Sequence, residues 1–283
     1  MLKIREFKLE NIAKNASIVM IAKRGSGKSW CVRAILQHFR DIPVGTIIAP
    51  TDRMTNFYGT FYPESFIYYD FNTEILAKVF ARQEKIIEKN KELFKYKKKI
   101  DTRAILVMDD CLAQKSQWTK DDRIKELLMN GRHYKLMYIL TMQFPLGISP
   151  ELRSQFDYIF LLKEEVMTNL KRIYDHYAGI FPTFESFRQI FTQLTADYGC
   201  MVIANTDRGI DKGNAEQGFL NKIFWFKANK PEKVSMGCRQ FIKYHDKNFT
   251  KDWKSKGKTM NINDFCMQKK KEGGAIKIER IDD

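Results

Sequence analysis

Acidic residues are in short supply: 34 Asp and Glu stand against 49 Lys and Arg in 283 residues, a formal net charge of +15. The sequence pI is near 9.5, and a polyanionic partner is the simplest reason for such an excess. Cysteine is scarce as well. Cys31, Cys111, Cys200, Cys238 and Cys266 are odd in number, far apart and never in a C-x-x-C spacing. That argues against a disulfide framework and a zinc knuckle, and points to a reducing compartment. Long apolar runs are missing: the stretches 16–22, 104–108 and 136–142 are strand-sized, well short of the ~20 residues that span a bilayer. A soluble chain with no transmembrane segment is expected. The amino terminus carries Glu6, Lys8 and Glu10 where a secretory signal would place an apolar core, so secretion is not indicated. No internal repeat or low-complexity tract stands out.

What is present suffices for a sizeable core. Hydrophobic residues make up 44% and aromatic ones 13%, too much for a disordered chain. The length suits one large domain, alone or with a small appendage. Strand-like apolar runs fall at 16–22, 44–49, 103–108, 136–142, 157–162, 199–204 and 222–227, with helical periodicity at 28–40, 73–98, 121–131, 166–178 and 184–194. This alternation predicts an α/β protein with a mostly parallel central sheet flanked by helices, because parallel neighbours need crossovers and continuous apolar strands need both faces covered. Residues 1–227 form the expected domain. Residues 228–283 read as a basic carboxy-terminal extension, partly ordered around Trp253 and Phe265 and flexible at its end, with Lys269, Lys270 and Lys271 before a Gly pair. The polar stretch 73–101 carries Lys85, Lys89, Lys91, Lys95 and Lys97 to Lys99 and fits a solvated crossover helix.

The strongest local signal is Ala22-Lys23-Arg24-Gly25-Ser26-Gly27-Lys28-Ser29, a P-loop with Ala at its first position. It follows an apolar strand and opens a helix containing Val32, Ile35, Leu36 and Phe39, the context that phosphate binding requires. Small residues let successive backbone N–H groups converge on a phosphate at a helix amino terminus. Lys28 is then expected to reach the β- and γ-phosphates and Ser29 to offer its hydroxyl to Mg2+. A second carboxylate-bearing strand follows in Ile105-Leu106-Val107-Met108-Asp109-Asp110. Asp109 is placed to hold magnesium through water, and Asp110 to orient or deprotonate an attacking water. Gln143 closes the next apolar run, where strand ends rim the ligand crevice of an open parallel sheet; it is the candidate γ-phosphate sensor, with Thr141 less defined. Arg132 precedes that same strand, so it is too far from its own phosphates and fits an arginine finger acting on an adjacent subunit. A structural salt bridge is the other reading of Arg132, and Arg153 and Arg24 are the other finger candidates.

Together the series AKRGSGKS, ILVMDDC, MNGRHYKLMYILTMQ, ELRSQFDYIFLLK and IFWFKA resembles the genome-packaging ATPases of nucleocytoplasmic large DNA viruses, the poxvirus-type branch of the FtsK/HerA superfamily. The resemblance runs from about residue 16 to residue 228 and leaves the carboxy-terminal extension uncovered. It implies an additional-strand (RecA/FtsK/HerA-like) P-loop NTPase fold and ATP hydrolysis with Mg2+. It also implies a homo-oligomeric ring, pentamer or hexamer, that drives double-stranded DNA into a preformed capsid. Capsid or inner-membrane viral proteins would be further partners, and the host cytoplasm at the viral factory or the virion the location. Carried over by residue, it puts phosphate binding on Lys28 and Ser29, magnesium on Asp109, water activation on Asp110 and sensing on Gln143. It favours Arg132 as the finger in trans, since related translocases carry an arginine at this spacing before the sensor glutamine. Two departures stand out: Asp110 replaces the Glu usual in cellular members, and the amino-terminal barrel of HerA-type helicases is lacking. Packaging ATPases of virophages or virus-like transposons share these motifs. A P-loop nucleoside or small-molecule kinase and a non-catalytic DNA- or capsid-binding protein are the readings from other classes.

Overall fold

The computed structural model describes residues 2–111, 121–206, 215–230, 232 and 235–250. In chain order its strands are Arg5–Glu6 (β1), Ser17–Ile21 (β2), Gly45–Ile48 (β3), Ile67–Tyr68 (β4), Ala104–Met108 (β5), Leu136–Met142 (β6), Tyr158–Leu162 (β7), Cys200–Ala204 (β8) and Ile223–Phe226 (β9). The α-helices are Lys28–His38 (α1), Asp52–Thr55 (α2), Thr73–Phe94 (α3), Asp122–Asn130 (α4), Pro150–Arg153 (α5), Met167–Tyr177 (α6), Phe184–Leu194 (α7) and Arg239–Asn248 (α8). Every expected strand and helix through residue 227 is present. Side-chain caps set several starts: Asn72 accepts the Glu74 N–H at α3, Asp121 that of Arg123 at α4, and Thr183 that of Ser186 at α7. Helix α3 stops at Phe94 rather than 98 because Lys97 turns left-handed at φ 57° and the Lys98 N–H bonds back to the Leu93 carbonyl.

The strands form one sheet in the order β1-β9-β8-β7-β2-β6-β5-β3-β4. From β7 to β4 all neighbours are parallel; β8 is antiparallel to both β7 and β9. Strand β6 is inserted between the P-loop strand β2 and the acidic strand β5, which is the additional-strand arrangement. Residue alternation sorts the core onto two faces. Val19, Ile21, Leu106, Met108, Leu140 and Leu161 pack under α3, α4, α6 and α7. Ile18, Met20, Val107, Ile139 and Phe160 pack under α1 and Phe241. Helices on both faces explain why the central strands are buried along their whole length.

The compact unit runs from Met1 to His245, so the described residues between 228 and 245 belong with the domain that was expected to close at 227. Apolar side chains in a polar stretch cause this: Met236 and Phe241 are buried, and Phe241 stacks on Phe66 with ring centroids 4.0 Å apart. Trp253, Phe265, Cys266 and Lys269 to Lys271 lie outside the described residues. Cys31, Cys111, Cys200 and Cys238 are free thiols. No helix among the described residues is long and apolar enough to cross a membrane.

Candidate nucleotide-binding site

Strand β2 delivers the P-loop to the carboxyl edge of the sheet. Ala22 is buried, and its N–H donates to the Met142 carbonyl at 2.9 Å, extending the β2–β6 ladder by one bond. Gly25 and Gly27 then take φ of 75° and 96°, a region that side-chain-bearing residues avoid. The Ser26 hydroxyl donates to the Lys23 carbonyl at 2.6 Å and tightens the turn. Gly27 caps α1 without any side-chain acceptor, so the N–H groups of the first turn stay open to an anion. Lys23, paired with Glu165 at 3.2 Å, and exposed Arg24 stand on the rim.

Strands β5 and β6 bring the acidic pair and the glutamine to the same edge. The Lys28 Nζ lies 2.7 Å from Asp110 Oδ2 and 3.3 Å from Asp109 Oδ1. Gln143 donates from Nε2 to Asp110 Oδ2 at 2.5 Å. Asp109 is buried; its Oδ1 accepts from the Thr141 hydroxyl at 2.5 Å and its Oδ2 from the Tyr58 hydroxyl at 3.0 Å. Thr141 also accepts the Asp110 N–H at 3.2 Å, so it braces the Asp109 carboxylate and the Asp110 backbone from inside the sheet and does not face a ligand. Burial, then the charge and hydrogen bond of Asp109, push the Tyr58 hydroxyl well above its ordinary pKa, which keeps it a donor. Lys28, Ser29, Asp109, Asp110 and Gln143 share one cavity of about 1020 Å³ with Lys23, Arg24, Gly25 and Gly27.

Arg132 is elsewhere. It precedes β6 at the amino edge, and the seven residues of that strand at ~3.3 Å each put it about 20 Å from the cavity. Its Nη2 donates to Asp157 Oδ1 at 2.6 Å, and Asp157 Oδ2 also accepts from the Ser17 N–H and hydroxyl at 2.9 and 3.0 Å. The side chain of Arg132 is 43% exposed. It does not reach its own site. Arg153 lies in α5, with its guanidinium carbon 5.6 Å from the ring centre of Tyr177.

Other residues of the cavity were not anticipated. Asp52 and Tyr58 follow β3, which pairs with β5 and so ends at the same edge; the signal was a polar turn after the apolar run 44–49. Asp52 is 1% exposed, accepts the Phe57 and Tyr58 N–H groups on Oδ1 at 2.5 and 3.1 Å, and leaves Oδ2 buried with no partner among the described residues. Tyr198 and Lys227 reach the cavity because β8 and β9 run antiparallel.

The donors suit magnesium. Ser29 and Asp109 supply only oxygen, and a small hard cation prefers oxygen ligands with several waters retained. Among the described residues no three His, Cys, Asp or Glu side chains gather into a metal cage. Both Asp109 oxygens already take protein donors, which favours contact through water.

No family model matches the chain. It is 47% identical to protein L437 of Acanthamoeba polyphaga mimivirus over 251 residues, covering 89% of this chain and 86% of that one. Protein 075L of Invertebrate iridescent virus 6 is 33% identical over 241 residues, 83% of this chain and 86% of its own. Among solved structures, the genome packaging NTPase B204 of Sulfolobus turreted icosahedral virus 2, in complex with sulfate, superposes with a TM-score of 0.55. It covers 78% of this chain and 100% of its own at 15% identity, a likeness of fold. The chain therefore belongs to the family of nucleocytoplasmic large DNA virus proteins that includes L437 and 075L, and it shares the fold of the B204 NTPase.

Proposed function

We propose that this protein is an ATP-driven motor that moves double-stranded DNA into a viral capsid, acting in the host cytoplasm as a ring of five or six identical subunits. One observation carries the reading: Lys28, Asp109, Asp110 and Gln143 converge at one edge of the sheet while Arg132 is held at the other. Such a site is built to bind a triphosphate, and with Lys23 and Arg24 on its rim the charge that stabilises the transition state is left to a further arginine. Arg132 of a neighbouring copy supplies it. The packaging role of B204, which shares the fold, points the same way.

In the free site Lys28 is drawn to Asp110. An entering γ-phosphate competes for the Lys28 ammonium and releases Asp110, which Gln143 keeps oriented. Asp110 then accepts a proton from a water as its oxygen bonds to the γ-phosphorus and the bond to the β–γ bridging oxygen breaks. That proton passes on to the released phosphate. Ser29 and Asp109 would hold Mg2+, which would neutralise charge on the triphosphate. Loss of the γ-phosphate removes the bridge between Lys28 and the neighbour's Arg132, loosening the subunit interface.

The net charge of +15 and the exposed lysines at the end of α3, Lys85 to Lys99, suit phosphate contacts that grip a duplex without reading sequence and weaken with salt. The other candidate DNA-contacting segment, 205–217, lies mostly outside the described residues.

The test is phosphate release by the purified protein with and without duplex DNA at low salt. Several-fold stimulation by DNA, abolished by Lys28→Ala, is expected. A phosphorylated small acceptor in place of free phosphate would establish a kinase instead. Absence of turnover under both conditions would leave a DNA- or capsid-binding protein.

A further inference from the structure

Sheet order decides which way a bound nucleotide lies. On one side of β2 come β6 and β5, which end near Gln143 and at the Asp109–Asp110 pair; on the other come β7 and β8. The groups suited to a γ-phosphate are all on the β6–β5 side, so the nucleoside end points toward β7 and β8. Strand β8 is antiparallel to β7, with Cys200 opposite Leu162, so the residues just before β8 stand at the nucleotide edge. Strand β9 pairs Phe226 with Cys200 and brings Lys227 and Ala228 to the same place. Tyr198, Lys227 and Ala228 line the cavity together with the P-loop.

Tyr198 is built into this position. Its ring is against the P-loop: a Cβ placed on Gly27 would lie 3.6 Å from Tyr198 Cδ1. Yet Tyr198 is 65% exposed, so most of its apolar surface gains nothing from burial. Asp197 and Tyr198 have φ of 50° and 59°, two left-handed residues in succession without a glycine, a conformation that persists only where its surroundings impose it. Asp197 is pinned by Lys227 at 2.5 Å. The following Gly199 closes the turn with its N–H on the Ala196 carbonyl at 2.8 Å. A Cβ at Gly199 would meet the Leu194 carbonyl oxygen at 2.2 Å, so only glycine lets the chain pass there.

We propose that Tyr198 is the platform on which the base of the bound nucleotide stacks, an inference that rests on the nucleotide reading of the site. The ligand is a purine nucleoside triphosphate. Stacking tolerates any base because every base has a π-face, so the larger purines are favoured over pyrimidines and adenine is separated little from guanine. Among the described residues Trp30 is the other exposed aromatic that lines the cavity, on α1, and serves as the control. Phe57 follows β3, on the side of the γ-phosphate groups.

The experiment titrates wild type, Tyr198→Ala, Tyr198→Phe and Trp30→Ala with fluorescent 1,N6-etheno-ATP, and competes the label with inorganic tripolyphosphate, which has no base. Tyr198→Ala is expected to bind the nucleotide about tenfold more weakly and to lose quenching of the base fluorescence. Tyr198→Phe should retain both, and tripolyphosphate should bind all four proteins alike. Equal nucleotide binding by wild type and Tyr198→Ala would overturn the inference, as would a loss confined to Trp30→Ala. A matching fall in tripolyphosphate affinity would also overturn it, since Tyr198 would then only shape the P-loop through Gly27. A wild type that binds neither ligand would overturn the nucleotide site itself, a failure distinct from the other three.

Discussion

At the amino edge of the sheet the buried carboxylate of Asp157 has a full set of donors in Ser17 and Arg132. At the carboxyl edge, Asp52 keeps one buried oxygen without a partner among the described residues, and Lys28 lies between two carboxylates. Backbone strain does not separate the two regions, because Asn15 and Lys135 are left-handed at one edge as Asp110, Asp197 and Tyr198 are at the other. Polar satisfaction does. The amino edge is complete within one chain, so the half-exposed guanidinium of Arg132 has donors to spare for another molecule. The carboxyl edge gathers Lys23, Arg24, Lys28 and Lys227 around the carboxylates of Asp52, Asp109 and Asp110, a set of charges that a triphosphate with its divalent cation would engage.

Exchanging one carboxylate at each edge should separate these regimes. Asp110→Asn is expected to slow phosphate release by about 100-fold or more, the usual worth of a general base, while shifting urea unfolding by less than about 1 kcal/mol. A large loss of stability with turnover intact would break the comparison. Asp157→Asn should do the reverse, costing about 1–3 kcal/mol in the same unfolding measurement because a buried charge-assisted network is weakened, with turnover within a few-fold of wild type. The smallest effect sharpens the contrast: Tyr198→Gly relieves a left-handed side chain and should stabilise the fold by up to about 1 kcal/mol although it weakens nucleotide binding. A site residue whose removal improves folding is the signature of strain kept for function.

Much of this was legible in the sequence, and the reasons are local. Strand β6 is buried at all seven positions, so its apolar run admitted one reading, and the glycines of the P-loop marked a turn that few other residues can make. Gln143 stands in the cavity, where the carboxyl ends of parallel strands are expected to meet ligands. The direction of β8 was not legible: Cys200 to Ala204 is buried throughout and reads the same as a parallel or antiparallel strand. Tyr198 and Lys227 were missed with it. Asp52 and Tyr58 escaped because their position depends on β3 lying beside β5, a long-range pairing with no motif. The partner of Arg132 was invisible for the same reason, since Asp157 and Ser17 are far apart in sequence and meet only across β2 and β7. The boundary at 227 ran early because one buried helix face, around Phe241, is a weak signal in a basic stretch.

The central claim is that a triphosphate bound by one subunit is completed by Arg132 of the next, and subunit mixing tests it most directly. Lys28→Ala and Arg132→Ala proteins, each inactive alone, are combined and assayed for DNA-stimulated phosphate release. A site shared between copies predicts recovered turnover in the mixture, because an intact Lys28 in one variant can meet an intact Arg132 in the other. A mixture no more active than its parts, or an Arg132→Ala protein that turns over ATP at the wild-type rate, would contradict it.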